Sequence, residues 1–473
     1  MSLMQKSIKE LAPLIRKKEI SPVELVEQCL QRIEETEPSI NAYITVLADK
    51  AMADAVAAEQ EIMNGEYRGL LHGIPYSAKD LFTTKGIKTT GGSKILAEYV
   101  PDYDSTAVKR LSEAGAILVG KNNLHEFAFG GTNENEHYGP TRNPWNLEMI
   151  PGGSSGGSGA SVAAASSIFS LGTDTGGSIR GPAALCGIVG IKATYGRVSR
   201  HGVLPLSSSL DHAGPMTKTT WDAAAVLSVI AGYDAKDASS SPKEVPNYLA
   251  ALEDGDRLPL KGKKVGICKE YYFENLDPEI EKSVWQAISL LEELGAKVIE
   301  VNIPSLAEAA SLQGLISNVE AYAYHSAYLK DRYGEYGANV RERLEKGQFI
   351  PAWAYVEAQR LRQHYKKEWA DVYQTIDLLA APTTALPAYP IGVETILHGG
   401  KEINPRELGI AGRTSPSNFN GYPSISVPCG FTASGLPIGL QIQGRAFDEV
   451  QVFQAAYAYE QASSMVGANR LVV

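Results

Sequence analysis

Pro151-Gly-Gly-Ser-Ser-Gly-Gly-Ser-Gly159 is the first of two glycine- and serine-rich stretches in this 473-residue chain, and Gly172-Thr-Asp-Thr-Gly-Gly-Ser-Ile-Arg-Gly-Pro182 is the second. Glycine permits backbone conformations that are closed to other residues and lets the chain approach a ligand closely. Successive backbone N–H groups in such a loop can converge on an anion. We therefore predict an oxyanion hole formed by the following residues: Thr175, Gly176, Gly177 and Ser178.

A third stretch lies upstream and supplies a lysine. In Gly73-Ile-Pro-Tyr-Ser-Ala-Lys-Asp80, Lys79 ends a short extended run. A serine hydroxyl is a weak nucleophile that needs a nearby base, and no histidine in this chain has a pattern that suggests that role. A lysine can be the base when it is neutral, since burial or neighbouring cations lower its pKa from about 10.4. The sequence is therefore compatible with a serine hydrolase that uses a lysine base.

These stretches resemble the amidase signature family, in which Gly-Ser-Ser-Gly-Gly is followed by Asp-x-Gly-x-Ser-Ile-Arg-x-Pro. The resemblance covers nearly the whole chain and is strongest over Gly153–Pro182. It implies that Ser178 is the nucleophile, that Ser154 is a bridging serine after a cis peptide bond, and that Lys79 is the base. It also implies supporting roles for three further residues: Ser155, Asp174 and Arg180.

The resemblance leads to a proton relay. Ser154 accepts the proton of Ser178 and donates its own to the neutral Lys79 amine, and the same relay protonates the leaving amine before water hydrolyses the acyl-enzyme. Asp174 and Arg180 are equally typical of a structural ion pair. We further expect the following residues to contact the substrate: Ala128, Phe129 and Gly130.

Two other motifs are rejected. Gly152–Gly156 satisfies G-x-S-x-G, the nucleophile elbow of α/β-hydrolases, but the preceding Glu148–Pro151 is a poor strand and the second glycine-rich stretch stays unexplained. Gly115–Asn122 approaches a P-loop but ends in Asn122, where Ser or Thr should bind magnesium. The histidines lack metal-ligand spacing such as H-E-x-x-H, so we expect neither a metal nor a cofactor.

Short apolar runs alternate with helical stretches, which predicts an α/β fold. Ser21-Pro22 is typical of a helix start, with the end expected at 35–38, and Val46–Met63 favours a second helix. By resemblance, residues 1–473 form a single α/β/α domain around a large, mostly mixed sheet. A sub-boundary is possible in the Ser- and Pro-rich linker 235–262, between the catalytic core and a C-terminal portion. The candidate strands are Ala116–Val119, Val265–Cys268, Val298–Ile303, Leu378–Ala381, Ile425–Pro428 and Ile438–Ile442.

The composition of the chain indicates where the protein works and which partners it binds. The net charge of −10 argues against a nucleic-acid binder. The four scattered cysteines fit the reduced thiols of a cytosol. Met1–Lys18 does not resemble a signal peptide, and no apolar stretch approaches the ~20 residues of a membrane-spanning helix. We therefore expect a cytoplasmic enzyme for a small-molecule amide, with no nucleic-acid or membrane partner, and a homodimer is one possible assembly.

The sequence is compatible with more than one type of amidase. One alternative is the glutamine-hydrolysing A subunit of a tRNA-dependent amidotransferase, which carries an acidic residue seven positions before its Asn-Leu-Ala-Gly turn. Here the turn is Asn418–Gly421 and the corresponding residue is Ala411, although Arg362 matches the arginine that this subunit uses for the substrate carboxylate. The Ala411 difference favours a self-contained amidase that cleaves small amides, with ester or carbamate hydrolysis as a side activity. A second alternative is a catalytically dead binding protein, against which the intact Lys79, Ser154 and Ser178 argue.

Overall fold

The protein is described by a computed structural model over residues 2–252, 258–409 and 411–463. In chain order its strands are β1 (Tyr43–Val46), β2 (Pro75–Lys79), β3 (Ile117–Asn122), β4 (Phe169–Asp174), β5 (Val189–Lys192), β6 (His212–Thr217), β7 (Lys264–Ile267), β8 (Lys297–Glu300), β9 (Leu378–Pro382), β10 (Ile396–His398), β11 (Lys401–Ile403), β12 (Ser424–Phe431) and β13 (Pro437–Gly444).

The α-helices surround these strands. In chain order they are α1 (Ile8–Arg16), α2 (Pro22–Ile40), α3 (Ala48–Met63), α4 (Thr106–Glu113), α5 (Gly156–Ala163), α6 (Arg180–Cys186), α7 (Thr220–Ile230), α8 (Lys269–Tyr272), α9 (Pro278–Glu293), α10 (Leu306–Asp331), α11 (Ala338–Gln348), α12 (Ala352–Val372), α13 (Ala411–Asn420) and α14 (Glu449–Ala462). None of the helices within the described ranges has the length and apolar character that crossing a bilayer demands.

One mixed sheet organises the molecule. Its 11 strands have the order β1-β3-β2-β4-β6-β5-β12-β13-β9-β7-β8, and β10 and β11 form a separate ribbon. The predicted α/β class with a large mixed sheet is confirmed. Strand β2 pairs in parallel with β4, with Ala78 opposite Leu171. Because the carboxyl ends of parallel strands meet at the same edge of a sheet, Lys79 at the end of β2 lies beside the end of β4.

The predicted elements are present, with several boundaries shifted, such as the start of the second helix at Ala48 instead of Val46. Each of the six candidate strands overlaps an observed strand, and α2 begins at Pro22, where the Ser21 hydroxyl accepts the Val23 N–H at 2.9 Å. The predicted end of α2 at 35–38 is wrong, because the helix continues to Ile40 with Pro38 in its last turn. It ends at Asn41, which has a positive φ of 55°. Asparagine tolerates that conformation, so Asn41 rather than the proline terminates the helix.

The segment 235–262 connects parts of the chain that share this sheet. Strand β12, from beyond the segment, pairs with β5, from before it. A single apolar cluster likewise includes residues from Ile8 to Tyr459. Residues 253–257 of the segment lie outside the described ranges. The sub-boundary therefore remains a prediction, although the sheet itself is continuous across it.

Candidate active site

Lys79 lies at the centre of a buried group of hydroxyls. Its side chain is fully buried, and its Nζ is 2.7 Å from Ser154 Oγ, 3.0 Å from Ser155 Oγ and 2.8 Å from Thr173 Oγ1. Burial lowers the pKa of Lys79 to about 7, although the carboxylates of Asp211 and Asp174 oppose that shift. The amine is therefore substantially uncharged near neutral pH, as a base must be.

The hydrogen bonds decide which hydroxyl can give its proton to Lys79. A neutral amine has two N–H groups and one lone pair, so one of its three neighbours must donate. The Ser155 hydroxyl already donates to the Thr173 carbonyl at 3.1 Å, and it therefore accepts from Lys79. Only Ser154 and Thr173 can donate to the lone pair. Ser154, at 2.7 Å, is the nearer of the two.

The loop before α5 brings Ser154 and Ser155 to the lysine. The Gly153–Ser154 peptide bond is cis, and the Ser155 N–H donates to the Ser178 carbonyl at 3.3 Å. The two glycine-rich stretches therefore touch directly. Gly157 has no room for a side chain, because a Cβ there would lie 2.3 Å from the Asn123 carbonyl oxygen. This close approach accounts for a glycine in the first turn of α5.

Asp174 and Arg180 form an ion pair that shapes the second stretch. Both side chains are fully buried, and the guanidinium contacts the carboxylate through Nε at 3.0 Å and Nη2 at 2.9 Å. Burial alone would raise the pKa of Asp174, but the adjacent guanidinium holds it well below its ordinary value. Asp174 also accepts the backbone N–H groups of Gly177 at 2.8 Å and Ile179 at 3.1 Å. The pair thus orders the loop that carries Ser178.

The backbone N–H groups of this loop, where the oxyanion hole is predicted, differ in whether they already have an acceptor. The Gly177 N–H is engaged by Asp174, so Gly177 does not belong to the set of available donors. Within the described part of the chain, no acceptor is hydrogen-bonded to the N–H groups of Thr175, Gly176 and Ser178. Ser178 itself is only partly buried, in contrast to Ser154. The donors that remain for an anion are therefore Thr175, Gly176 and Ser178.

The residues expected to contact the substrate lie on a loop beside Ser154. The His125 N–H donates to the Ser154 carbonyl at 3.1 Å, and the following residues lead through Ala128 to Gly130. Ala128 has a positive φ of 61°, and Phe129 is buried, with the Arg343 guanidinium 5.7 Å from its ring centre. The loop thus contacts the backbone of the predicted bridging serine, Ser154, while Phe129 packs mainly into the protein.

Several residues around the site were not predicted. Thr173 contacts Lys79, and three side chains from the C-terminal part contact Arg180: Ser417, Asn418 and Gln441. Arg362, in contrast, was singled out by the resemblance to the A subunit; it is nearly buried and donates to the backbone carbonyls of Phe419 at 2.7 Å and Ser209 at 2.9 Å. A polar residue in an otherwise apolar strand, as Thr173 is, was the available signal. Among the described residues, no group of His, Cys, Asp or Glu could hold a metal ion.

A large mixed sheet that places a buried lysine against paired serines defines an amidase of the signature type. The family model described as Amidase matches residues 24–453, and the chain belongs to this family. Members of the family hydrolyse carbon–nitrogen bonds.

The chain is similar to the following members of this family, by sequence and by structure. The chain is 42% identical to the A subunit of the glutamyl-tRNA(Gln) amidotransferase of Geotalea daltonii, over 98% of both chains. A solved structure of the corresponding A subunit of Thermotoga maritima is 35% identical, with a TM-score of 0.82 over 98% of this chain and 96% of that one. Another, from a vestigial protein complex that reveals the origins of an s-triazine catabolic enzyme, is 32% identical, with a TM-score of 0.92 over 99% of this chain and 100% of that one.

These relatives correct one expectation. We predicted a small-molecule enzyme with no nucleic-acid partner, for which a homodimer was one possible assembly. That prediction is wrong, because relatives that match the chain from end to end are subunits of an enzyme named for a tRNA, and a solved neighbour belongs to a protein complex. The prediction failed because it rested on net charge and on one residue, Ala411, neither of which describes the surfaces that meet other subunits.

Proposed function

We propose that this chain is the amide-hydrolysing subunit of an amidotransferase-type enzyme, and that it acts through an acyl-enzyme on Ser178. The observation that carries the proposal is the 2.7 Å contact between Lys79 Nζ and Ser154 Oγ, two fully buried groups, beside a loop whose free N–H groups can bind an oxyanion. A catalytically dead binding protein would have no need to keep a lysine buried among hydroxyls, since burial of an amine is costly.

The proposed reaction begins with two linked proton transfers. Lys79 accepts the Ser154 proton, Ser154 accepts the Ser178 proton, and Ser178 Oγ attacks the amide carbonyl carbon. The resulting oxyanion accepts hydrogen bonds from N–H groups among Thr175, Gly176 and Ser178, a kind of stabilisation typically worth about 10²–10³ in rate. The protons then return along the relay to the amide nitrogen, the C–N bond breaks, and ammonia leaves. Water hydrolyses the ester on Ser178 by the same relay.

Glutamine is the proposed nitrogen donor, as the end-to-end likeness to the A subunits supports. Arg362, the arginine matched to the substrate carboxylate, has two of its donors on backbone carbonyls and retains Nη1 for a ligand. A second candidate is an amidase for other small carboxamides that works within a protein complex. Ala411 favours it, since an alanine at the start of α13 offers no charge for an amino group.

Release of the amine from a panel of amides tests the proposal, as ammonia from primary amides and as aniline from an anilide. The purified protein, alone and with the proteins that co-purify with it, is incubated with glutamine, butyramide and an anilide. Ser178→Ala is the matched control, because it removes one hydroxyl from a partly buried site. We expect glutamine to be hydrolysed by the wild type and not by Ser178→Ala. Cleavage of the other amides without glutamine would support the second candidate, and equal release of ammonia or aniline by Ser178→Ala would contradict both.

A further inference from the structure

Gln313 connects a distant helix to the predicted oxyanion loop. Its side chain lies in the first half of α10 and is buried. The Nε2 group donates to the Thr175 carbonyl at 3.0 Å and to Ser317 Oγ at 3.0 Å, while Oε1 accepts from Ser415 Oγ at 3.4 Å. Because a backbone carbonyl can only accept, the carboxamide must turn its NH₂ group toward Thr175. The orientation of the side chain is therefore determined.

This contact fixes the direction of one N–H group. In a planar trans peptide the carbonyl and the N–H point in opposite directions. Since Gln313 holds the Thr175 carbonyl toward α10, the Gly176 N–H points away from α10. The next peptide is held in the same manner, because the Thr414 hydroxyl donates to the Gly176 carbonyl at 2.5 Å and Asp174 accepts the Gly177 N–H. Two successive peptide planes are thus fixed by side chains from three parts of the chain.

We infer that Gln313 is a positioning residue for the hydrolytic reaction, holding the Thr175–Gly176 peptide so that the Gly176 N–H faces the developing oxyanion. The inference rests on the proposed function of the Ser178 loop. Gln313 is also packed against this peptide, since a Cβ on Gly176 would lie 3.2 Å from its Nε2. Without the donor, the peptide is free to rotate and to present the Thr175 carbonyl oxygen to the oxyanion, which is repulsive.

A residue that orients an oxyanion donor stabilises the transition state and does not change the affinity for the substrate. The negative charge that the Gly176 N–H stabilises develops only after Ser178 attacks, so loss of its orientation lowers kcat and leaves KM nearly unchanged. Removal of one oxyanion donor typically costs about 10²–10³ in rate. We expect loss of Gln313 to cost at least about tenfold, since the peptide still samples the productive orientation.

The test measures how fast a fluorophosphonate labels the active-site serine. In this reaction the phosphoryl oxygen of the reagent occupies the oxyanion hole. The reaction needs no amide substrate and no partner protein. Gln313→Met keeps the size of the side chain and removes the donor. Ser317→Ala is the control, because it removes the other acceptor of the same NH₂ group and leaves the Thr175 contact intact. We expect labelling at least about tenfold slower in Gln313→Met and near the wild-type rate in Ser317→Ala, with all three proteins equally folded by circular dichroism.

Gln313→Glu supplies a readout that a purely structural role would not change. A protonated glutamic acid can donate to the Thr175 carbonyl, whereas the carboxylate repels it. Labelling of Gln313→Glu should therefore decline as the pH rises past the pKa of the new carboxyl, while the wild-type rate increases over the same range. Wild-type rates in both variants, or a wild-type pH profile in Gln313→Glu, would overturn the inference and leave the proposed function intact. A wild-type protein that is not labelled at all would contradict the Ser178 assignment and the inference with it.

Discussion

At the scale of single residues, the structure explains how a lysine can act as a base. Among the residues that the structure describes, Lys79 contacts three hydroxyls and no carboxylate, so burial dominates and lowers its pKa to about 7. Lys121, equally buried, contacts the Asp80 carboxylate at 3.0 Å. A buried lysine with a carboxylate partner is suited to a structural role, and one among hydroxyls is suited to accept a proton.

The pH dependence of turnover tests this role. Below pH 7 the ammonium form of Lys79 has no lone pair, so kcat/KM should increase with pH through an apparent pKa near 7. Lys79→Ala should lower the rate by about 10²–10⁴ and remove this limb, since a general base contributes about that much. Lys79→Arg should not restore activity, because a guanidinium stays protonated. An unchanged limb in Lys79→Ala would show that another group titrates.

Thr173→Val provides the matched control for that profile. The Thr173 hydroxyl stabilises the charged amine, so its removal should lower the pKa of Lys79 further and move the acid limb to lower pH, without loss of the alkaline plateau. A shift to higher pH would contradict this assignment of the hydroxyl.

The residue scale also shows what the sequence could predict. Lys79, Ser154 and Ser178 were selected by their glycine-rich surroundings, and the structure brings the first two into contact and the third onto the adjoining loop. Thr173 and Gln313 were missed, because their roles depend on strands and helices that meet only in the folded chain. The oxyanion hole stays a prediction, and the sequence did not reveal that the Asp174 carboxylate accepts the Gly177 N–H.

At the scale of elements, the buried ion pair between Asp174 and Arg180 should dominate local stability. Asp174→Asn leaves the Arg180 guanidinium buried without a counter-charge, and breaking a buried pair in this way typically costs about 3–5 kcal/mol. We expect a clearly lower thermal unfolding midpoint. The matched control is Glu113→Gln in the exposed Lys109–Glu113 pair, where such changes cost about 0–1 kcal/mol. Equal midpoints for the two variants, measured by differential scanning calorimetry, would contradict a stabilising role for the buried pair.

The strands also differ in how clearly the amino-acid sequence predicts them. Strands such as β9 and β13 are apolar runs and were predicted. Strand β6 was missed because His212–Thr217 contains a glycine and Pro215, which rarely occur within strands. Strand β4 was missed because it ends in the polar residues of the site. Strand β4, which carries Thr173 and Asp174 into the site, therefore has a weak strand pattern, whereas β2, which carries Lys79, was predicted as an extended run.

At the scale of the whole molecule, the sheet joins residues from both ends of the chain around the site. Arg180 contacts Asn418 and Gln441, and Gln313 contacts the Thr175 carbonyl, so the part beyond the 235–262 segment completes the loop of Ser178. We therefore propose that residues 1–473 act as one domain. The partners of the chain could not be predicted from its net charge. Net charge is summed over the whole surface and does not show which part of the surface binds other proteins.

The most direct test of the central claim is the identity of the serine that becomes covalently modified. The protein is treated with a fluorophosphonate, and the adduct is located by intact-mass and peptide mass spectrometry. We predict a single adduct on Ser178, abolished in Ser178→Ala. An adduct on Ser154, with Ser178 unmodified in the same peptides, would contradict the account.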